Sequence, residues 1–109
     1  GDGKQTRDYT FVSDAVAANL AAGTIPEAIG EAFNIGGGSR VTLIELLTIM
    51  EQVIGRPSRK NYVERAVGDA RHTSADISKA KKILGYSPQV SLLEGLTKEW
   101  DWIQSIYTS

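Results

Sequence analysis

The run from Thr42 to Ile54 constrains this chain more than any other feature. Thr42 and Glu45 stand at the spacing of a capping box, in which two side chains satisfy each other's backbone N–H groups at a helix start. Gly55 and then Pro57 end the run, since glycine takes a left-handed stop and proline refuses another turn. Between these limits Leu43, Leu46, Leu47, Met50, Val53 and Ile54 recur at three- and four-residue steps. One face of the helix is therefore apolar and has to be covered.

Three further helices follow from the same signals. The first spans Ser13 to Ala22, with Ser13 or Asp14 as its cap and Gly23 as its left-handed stop. It is mostly alanine with Val16 and Leu20, so it suits a close-packed neighbour. The second is short: Asp76 caps Ile77 to Leu84 and Gly85 ends it. Ile77, Ala80, Ile83 and Leu84 face inward, while Lys79, Lys81 and Lys82 form a wet face rather than a nucleic-acid surface. The third runs from Ser91 to Tyr107, with Ser91 and Glu94 as another capping box and an apolar stripe of Leu93, Leu96, Trp100, Ile103 and Tyr107. Trp100 belongs to the core, and Trp102 faces whatever lies beside the domain.

Asp8–Val12, Ala32–Ile35 and Lys60–Glu64 are strand candidates. The Gly36 to Gly38 run is a loop, because three glycines lose too much backbone entropy in a regular element. The class that follows is α/β, mostly helical, with four helices and two or three short strands. With 109 residues and 41% hydrophobic content the chain builds one small core. A net charge of −1 lacks the basic footprint of a nucleic-acid binder. No apolar run approaches the roughly 18 residues that cross a bilayer, and there is no signal-peptide pattern, so no membrane role and a cytoplasmic location are expected. Cysteine is absent and His72 is the single histidine. A metal site needs several convergent ligands, so a solvated or capping role suits His72 better. The polar opening without methionine reads as a trimmed piece.

Three segments, in order and correctly spaced, resemble the extended short-chain dehydrogenase/reductase family of nucleotide-sugar epimerases and dehydratases. They are Gly1-Asp-Gly-Lys-Gln-Thr-Arg-Asp-Tyr-Thr-Phe-Val-Ser-Asp14, Phe33-Asn-Ile-Gly-Gly-Gly38 with the capped helix behind it, and Gly68-Asp-Ala-Arg-His-Thr-Ser-Ala-Asp-Ile-Ser-Lys-Ala80 followed by Leu84-Gly-Tyr-Ser-Pro88. The chain looks most like the UDP-glucose 4-epimerase-like members. The resemblance implies that residues 1–109 are the C-terminal, sugar-nucleotide-binding portion and that an N-terminal NAD-binding Rossmann portion is absent.

It also implies roles. Arg7 matches the family's phosphate-binding arginine, Asp69 the ribose-binding aspartate, and Asn34 an asparagine near the nucleotide. The chemistry agrees: a planar guanidinium donates twice to neighbouring phosphate oxygens, and a carboxylate accepts from ribose hydroxyls. Family members often carry an arginine three residues before the aspartate. Ala66 stands there instead, and either Arg65 or Arg71 can supply the second phosphate contact. Read without the resemblance, Arg7 is a surface salt-bridge partner, Gly68-Asp69 is a turn pair, and Asn34 satisfies a backbone group.

The family's Tyr-x-x-x-Lys pair and Gly-x-x-Gly-x-x-Gly loop do not occur. The residues four beyond Tyr9, Tyr62 and Tyr86 are Ser13, Ala66 and Val90. The expected parent is an NAD-dependent UDP-hexose 4-epimerase of the UDP-glucose/UDP-galactose type, a homodimer that oxidises and re-reduces C4. The isolated segment is expected to bind no NAD and turn over nothing. Alternatives are the same portion of a dehydratase or a reductase, or a non-catalytic helical interaction module. In the family the Ala32–Ile35 strand joins the edge of the large sheet, so here it is expected to be an orphan, with rearrangement, strand exchange between copies or a self-associated state as the outcome.

Overall fold

The computed structural model describes residues 1–107. Its elements are β1 (Thr6–Arg7), α1 (Val12–Thr24), a 3-10 turn at Pro26–Ala28, β2 (Val41–Thr42), α2 (Leu43–Ile54), α3 (Ser78–Leu84) and α4 (Leu92–Tyr107).

The capping box forms as the spacing requires. Thr42 Oγ1 accepts from the Glu45 N–H at 3.1 Å, and Glu45 Oε2 accepts from the Thr42 N–H at 2.7 Å. At the far end Gly55 is left-handed, with φ 83°. On α4 the Ser91 hydroxyl accepts from the Glu94 N–H at 3.1 Å. Gly85 closes α3 in the left-handed region. Asp76 accepts from the Ser78 N–H at 3.0 Å, but α3 begins one residue later than expected, with Ile77 in the N-cap position.

The start of α1 departs from expectation. Neither Ser13 nor Asp14 caps it; Phe11 is the N-cap residue and contributes no side-chain bond. Gly23 is helical rather than a stop, and the helix runs on to Thr24. Asp14 is instead buried, and its carboxylate accepts from the Gln89 and Val90 N–H groups at 2.9 and 3.2 Å. A buried carboxylate needs such donors, and these two pin the start of α1 to the segment that leads into α4.

All three strand candidates were misplaced. β1 lies just upstream of Asp8 and pairs antiparallel with β2, Thr6 opposite Thr42 and Arg7 opposite Val41. Asp8 uses its carboxylate on the Gly37 N–H and Phe11 already caps α1, which leaves no ladder downstream. The 32–35 segment has no strand beside it among the described residues; Phe33 and Ile35 turn onto the core instead. The 60–64 segment is tied through Lys60 Nζ to the Glu51 carboxylate at 2.9 Å, not through a ladder.

Packing falls into two helix pairs. α1, α3 and the 3-10 turn enclose Ala18, Ala28, Ile77, Ala80, Leu84 and Tyr86. The Tyr86 hydroxyl donates to the Gly36 carbonyl at 2.7 Å, which fastens the glycine loop to that core. α2 packs on α4, with Trp100 half-buried and Trp102 exposed. The molecule measures 49 × 39 × 18 Å and has a radius of gyration of 16.7 Å, against about 13 Å for a compact chain of this length. A slab under two helix diameters thick buries little. Val12, Val16 and Leu20, four residues apart along α1, accordingly stay exposed.

Candidate functional site

Three segments meet at one edge of the slab. The β1–β2 pairing fixes Thr6 and Arg7, and an isolated parallel bridge joins Thr6 to His72. The Thr6 N–H donates to the Arg71 carbonyl at 2.9 Å, and the Thr73 N–H donates to the Thr6 carbonyl at 3.2 Å. Thr6 Oγ1 and His72 Nδ1 lie 2.7 Å apart, so His72 has a tethering role. The 69–73 segment is thereby laid alongside β1.

Arg7 uses this arrangement fully. Its Nη1 donates to the Thr6 carbonyl at 2.7 Å and the Arg71 carbonyl at 3.4 Å. Its Nη2 donates to Asp69 Oδ1 at 2.7 Å and the Ala70 carbonyl at 2.8 Å. The sequence alone left a surface salt bridge and a ligand contact as competing readings, and the ion pair with Asp69 is present. Asp69 keeps Oδ2 without a hydrogen bond among the described residues, and its side chain is 40% exposed.

A cavity of about 470 Å³ opens in front of Asp69. Asp69, Ala70 and Arg71 line one side, Tyr62, Val63 and Arg65 another, and Gly1, Asp2 and Gln5 the rest. Arg65 donates to the Asp69 carbonyl through Nε at 3.2 Å and also through Nη2. Arg71 forms a fork with Asp2: Nη1 to Oδ1 at 2.8 Å and Nη2 to Oδ2 at 3.1 Å. That fork, helped by the Lys4 N–H, holds the Asp2 carboxyl down at about 2. The same fork raises the Arg71 guanidinium above its ordinary value.

Of the expected site residues, Arg7, Asp69, Arg65 and Arg71 come together here. Arg7 stands behind the loop and is not among the cavity's lining residues, whereas Arg65 and Arg71 both are. Asn34 does not join them: its side chain is exposed and sits in the segment that packs on the α1–α3 core. Asp2, Gln5 and Tyr62 were not singled out from the sequence. Their only signal was position, in the polar run before Arg7 and in the segment before Arg65.

The Gly36 to Gly38 loop is not arranged as a pyrophosphate cradle. A glycine-rich cradle must leave backbone N–H groups open. Here the Gly37 N–H already donates to Asp8 Oδ1 at 2.9 Å. A Cβ on Gly36 would stand 2.6 Å from Asp8 Oδ2, and one on Gly37 2.2 Å from the Tyr9 carbonyl. The Asp8 carboxylate packs directly against this loop.

Comparison with known proteins gives a consistent result. Residues 1–99 match the family described as GDP-mannose 4,6 dehydratase. An uncharacterized UDP-glucose epimerase of Bacillus subtilis, YtcB, is 40% identical over 107 residues, covering 98% of this chain and 34% of that protein. UDP-glucuronic acid decarboxylase 1 of Arabidopsis thaliana is 37% identical over 98 residues, 90% of this chain and 22% of that one. The crystal structure of UDP-glucuronic acid 4-epimerase from Bacillus cereus, in complex with UDP-glucuronic acid and NAD, superposes with a TM-score of 0.91 at 40% identity. That match takes in 98% of this chain and 34% of the other. The chain spans about a third of the length of the first two epimerases.

Proposed function

This chain belongs to the nucleotide-sugar epimerase and dehydratase family of extended short-chain dehydrogenases/reductases, and from that premise we propose that it holds the nucleoside diphosphate of a UDP-linked sugar. In a complete protein the NAD-binding and catalytic groups would then stand in the residues ahead of Gly1, and the reaction would be 4-epimerisation. The observation that carries this reading is the cavity lined by Arg65, Asp69 and Arg71, with Arg7 gripping Asp69 from behind and Arg65 bonded to the Asp69 carbonyl. Three guanidiniums in reach of one another attract a diphosphate through charge and through paired N–H donors. The unbonded Asp69 Oδ2 offers a ribose hydroxyl an acceptor. Arg7 fixes that carboxylate from behind and adds positive charge to the phosphate subsite.

The protein's share of catalysis on this reading is orientation, since a sugar gripped by its diphosphate presents its ring to groups held elsewhere. The same grip serves a dehydratase, reductase or decarboxylase parent, and the likeness to a decarboxylase favours a holding role common to these reactions.

Calorimetric titration tests it. UDP should bind, uridine should bind far more weakly, and Arg7→Ala should weaken UDP by about tenfold or more, the scale of a charged hydrogen-bond pair. Arg7→Lys keeps the charge without the fork and should fall between the two. UDP binding that is indifferent to Arg7→Ala would refute the assignment.

A further inference from the structure

We propose that Asp2 is a built-in competitor of the ligand: its carboxylate occupies the Arg71 guanidinium that the diphosphate uses, and so sets how tightly the cavity accepts a phosphorylated nucleotide. The inference rests on the nucleotide-holding reading above.

The three arginines of the site differ in what they hold. Arg7 donates to one carboxylate and three backbone carbonyls, and Arg65 donates to a backbone carbonyl. Those partners are parts of the frame and stay in place when a ligand arrives. Arg71 alone among them donates only to an exposed side chain from a distant segment. Its two parallel contacts with Asp2 are the contacts that two adjacent phosphate oxygens would make. Both side chains of the pair are about half exposed, at 45% and 50%.

Asp2 is also free to leave. Besides Arg71, its one hydrogen-bond partner is the neighbouring Lys4 N–H at 2.9 Å. Turning the carboxylate outward breaks no contact with the core. Asp2 lines the same cavity as Arg65, Asp69 and Arg71, so an entering diphosphate meets it directly. Two anions cannot share one guanidinium fork in the same plane, and like charges held close repel. A phosphate that takes the Nη1–Nη2 edge of Arg71 must therefore expel Asp2 and then sit beside a displaced negative charge. An uncharged nucleoside does neither. Asp2 thus keeps Arg71 oriented and neutralised while the cavity is empty, and it lowers the affinity for any ligand that takes Arg71.

The test is UDP and uridine titration of the native chain, Asp2→Asn, Arg71→Gln and the double variant, with thermal melts to verify folding. Asparagine preserves the shape and the turn with Lys4 while removing the charge. Asp2→Asn should bind UDP about fivefold more tightly, the upper range of an exposed ion pair. Its affinity for uridine should not change. In the Arg71→Gln background the gain should vanish, because no guanidinium is left to compete for.

If native UDP binding depends on Arg7 but Asp2→Asn is neutral or weakening, the competitor role is wrong and the nucleotide reading stands. If the gain persists in Arg71→Gln, Asp2 acts through general charge, and the specific pairing is likewise refuted. Failure of every variant, native included, to bind UDP removes both proposals together.

Discussion

Asp69 is the residue on which the site turns, because its two carboxylate oxygens do different things. Oδ1 takes the Arg7 guanidinium and Oδ2 carries no hydrogen bond among the described residues, which on the proposed reading leaves it to a ribose hydroxyl. Arg7 also holds the carbonyls of Ala70 and Arg71, so its pairing with Asp69 fixes a whole loop and is more than a surface ion pair. Asp69→Asn should therefore retain much of the loop geometry through those carbonyl bonds while weakening the contact to ribose. Measured as an affinity ratio, the preference for UDP over 2′,3′-dideoxyuridine diphosphate should fall about threefold to tenfold in Asp69→Asn, the worth of one charge-assisted hydrogen bond. An unchanged ratio would detach Asp69 from the ribose. Arg7 and Asp69 stood out in the sequence through the Arg-Asp-Tyr and Gly-Asp motifs, and the fold pairs them, whereas Arg65 and Arg71 were open alternatives because Ala66 holds the motif position. Asp2 was not, since its partner Arg71 lies 69 residues away and nothing local pairs them. Asn34 was placed by motif alone, and the fold carries it elsewhere.

At the scale of elements, the helices were readable and the strands were not. Helix ends are written in local chemistry: Thr42 with Glu45, Ser91 with its N–H acceptor role, and glycine at 55 and 85 each act within a few residues. A two-residue strand pair has no such signature, because β1 and β2 exist only through each other across a long loop. The same holds for the buried Asp14, which reads as a cap locally and serves the distant Gln89 and Val90 N–H groups in the fold. Two glycines make the contrast measurable. A Cβ on Gly37 meets the Tyr9 carbonyl, so Gly37→Ala should destabilise by about 1–3 kcal/mol. It should also weaken UDP binding by shifting the segment that carries Arg7. Gly23 is helical with nothing within 4 Å of a Cβ, so Gly23→Ala should stabilise by up to about 1 kcal/mol and leave binding alone. Denaturant melts of the two variants check both signs, and equal effects would contradict the packing described here.

At the scale of the whole molecule, the slab shape and the exposed Val12, Val16 and Leu20 stripe fit a chain that spans a third of its epimerase relatives' length. No helix among the described residues is long and apolar enough to cross a membrane. One cavity is lined by Arg65, Asp69 and Arg71, while an apolar pocket lies between α2 and α4. With only part of a nucleotide's surface covered, affinity for UDP should be modest, with a Kd on the order of 1 mM. The most direct test is an NMR titration of the chain with UDP that follows the arginine Nε–Hε signals. Saturable shifts at Arg7, Arg65 and Arg71, diminished by high salt and absent with uridine, are the expected result. No saturable response at those three, or one centred on α2 and α4, would contradict the account.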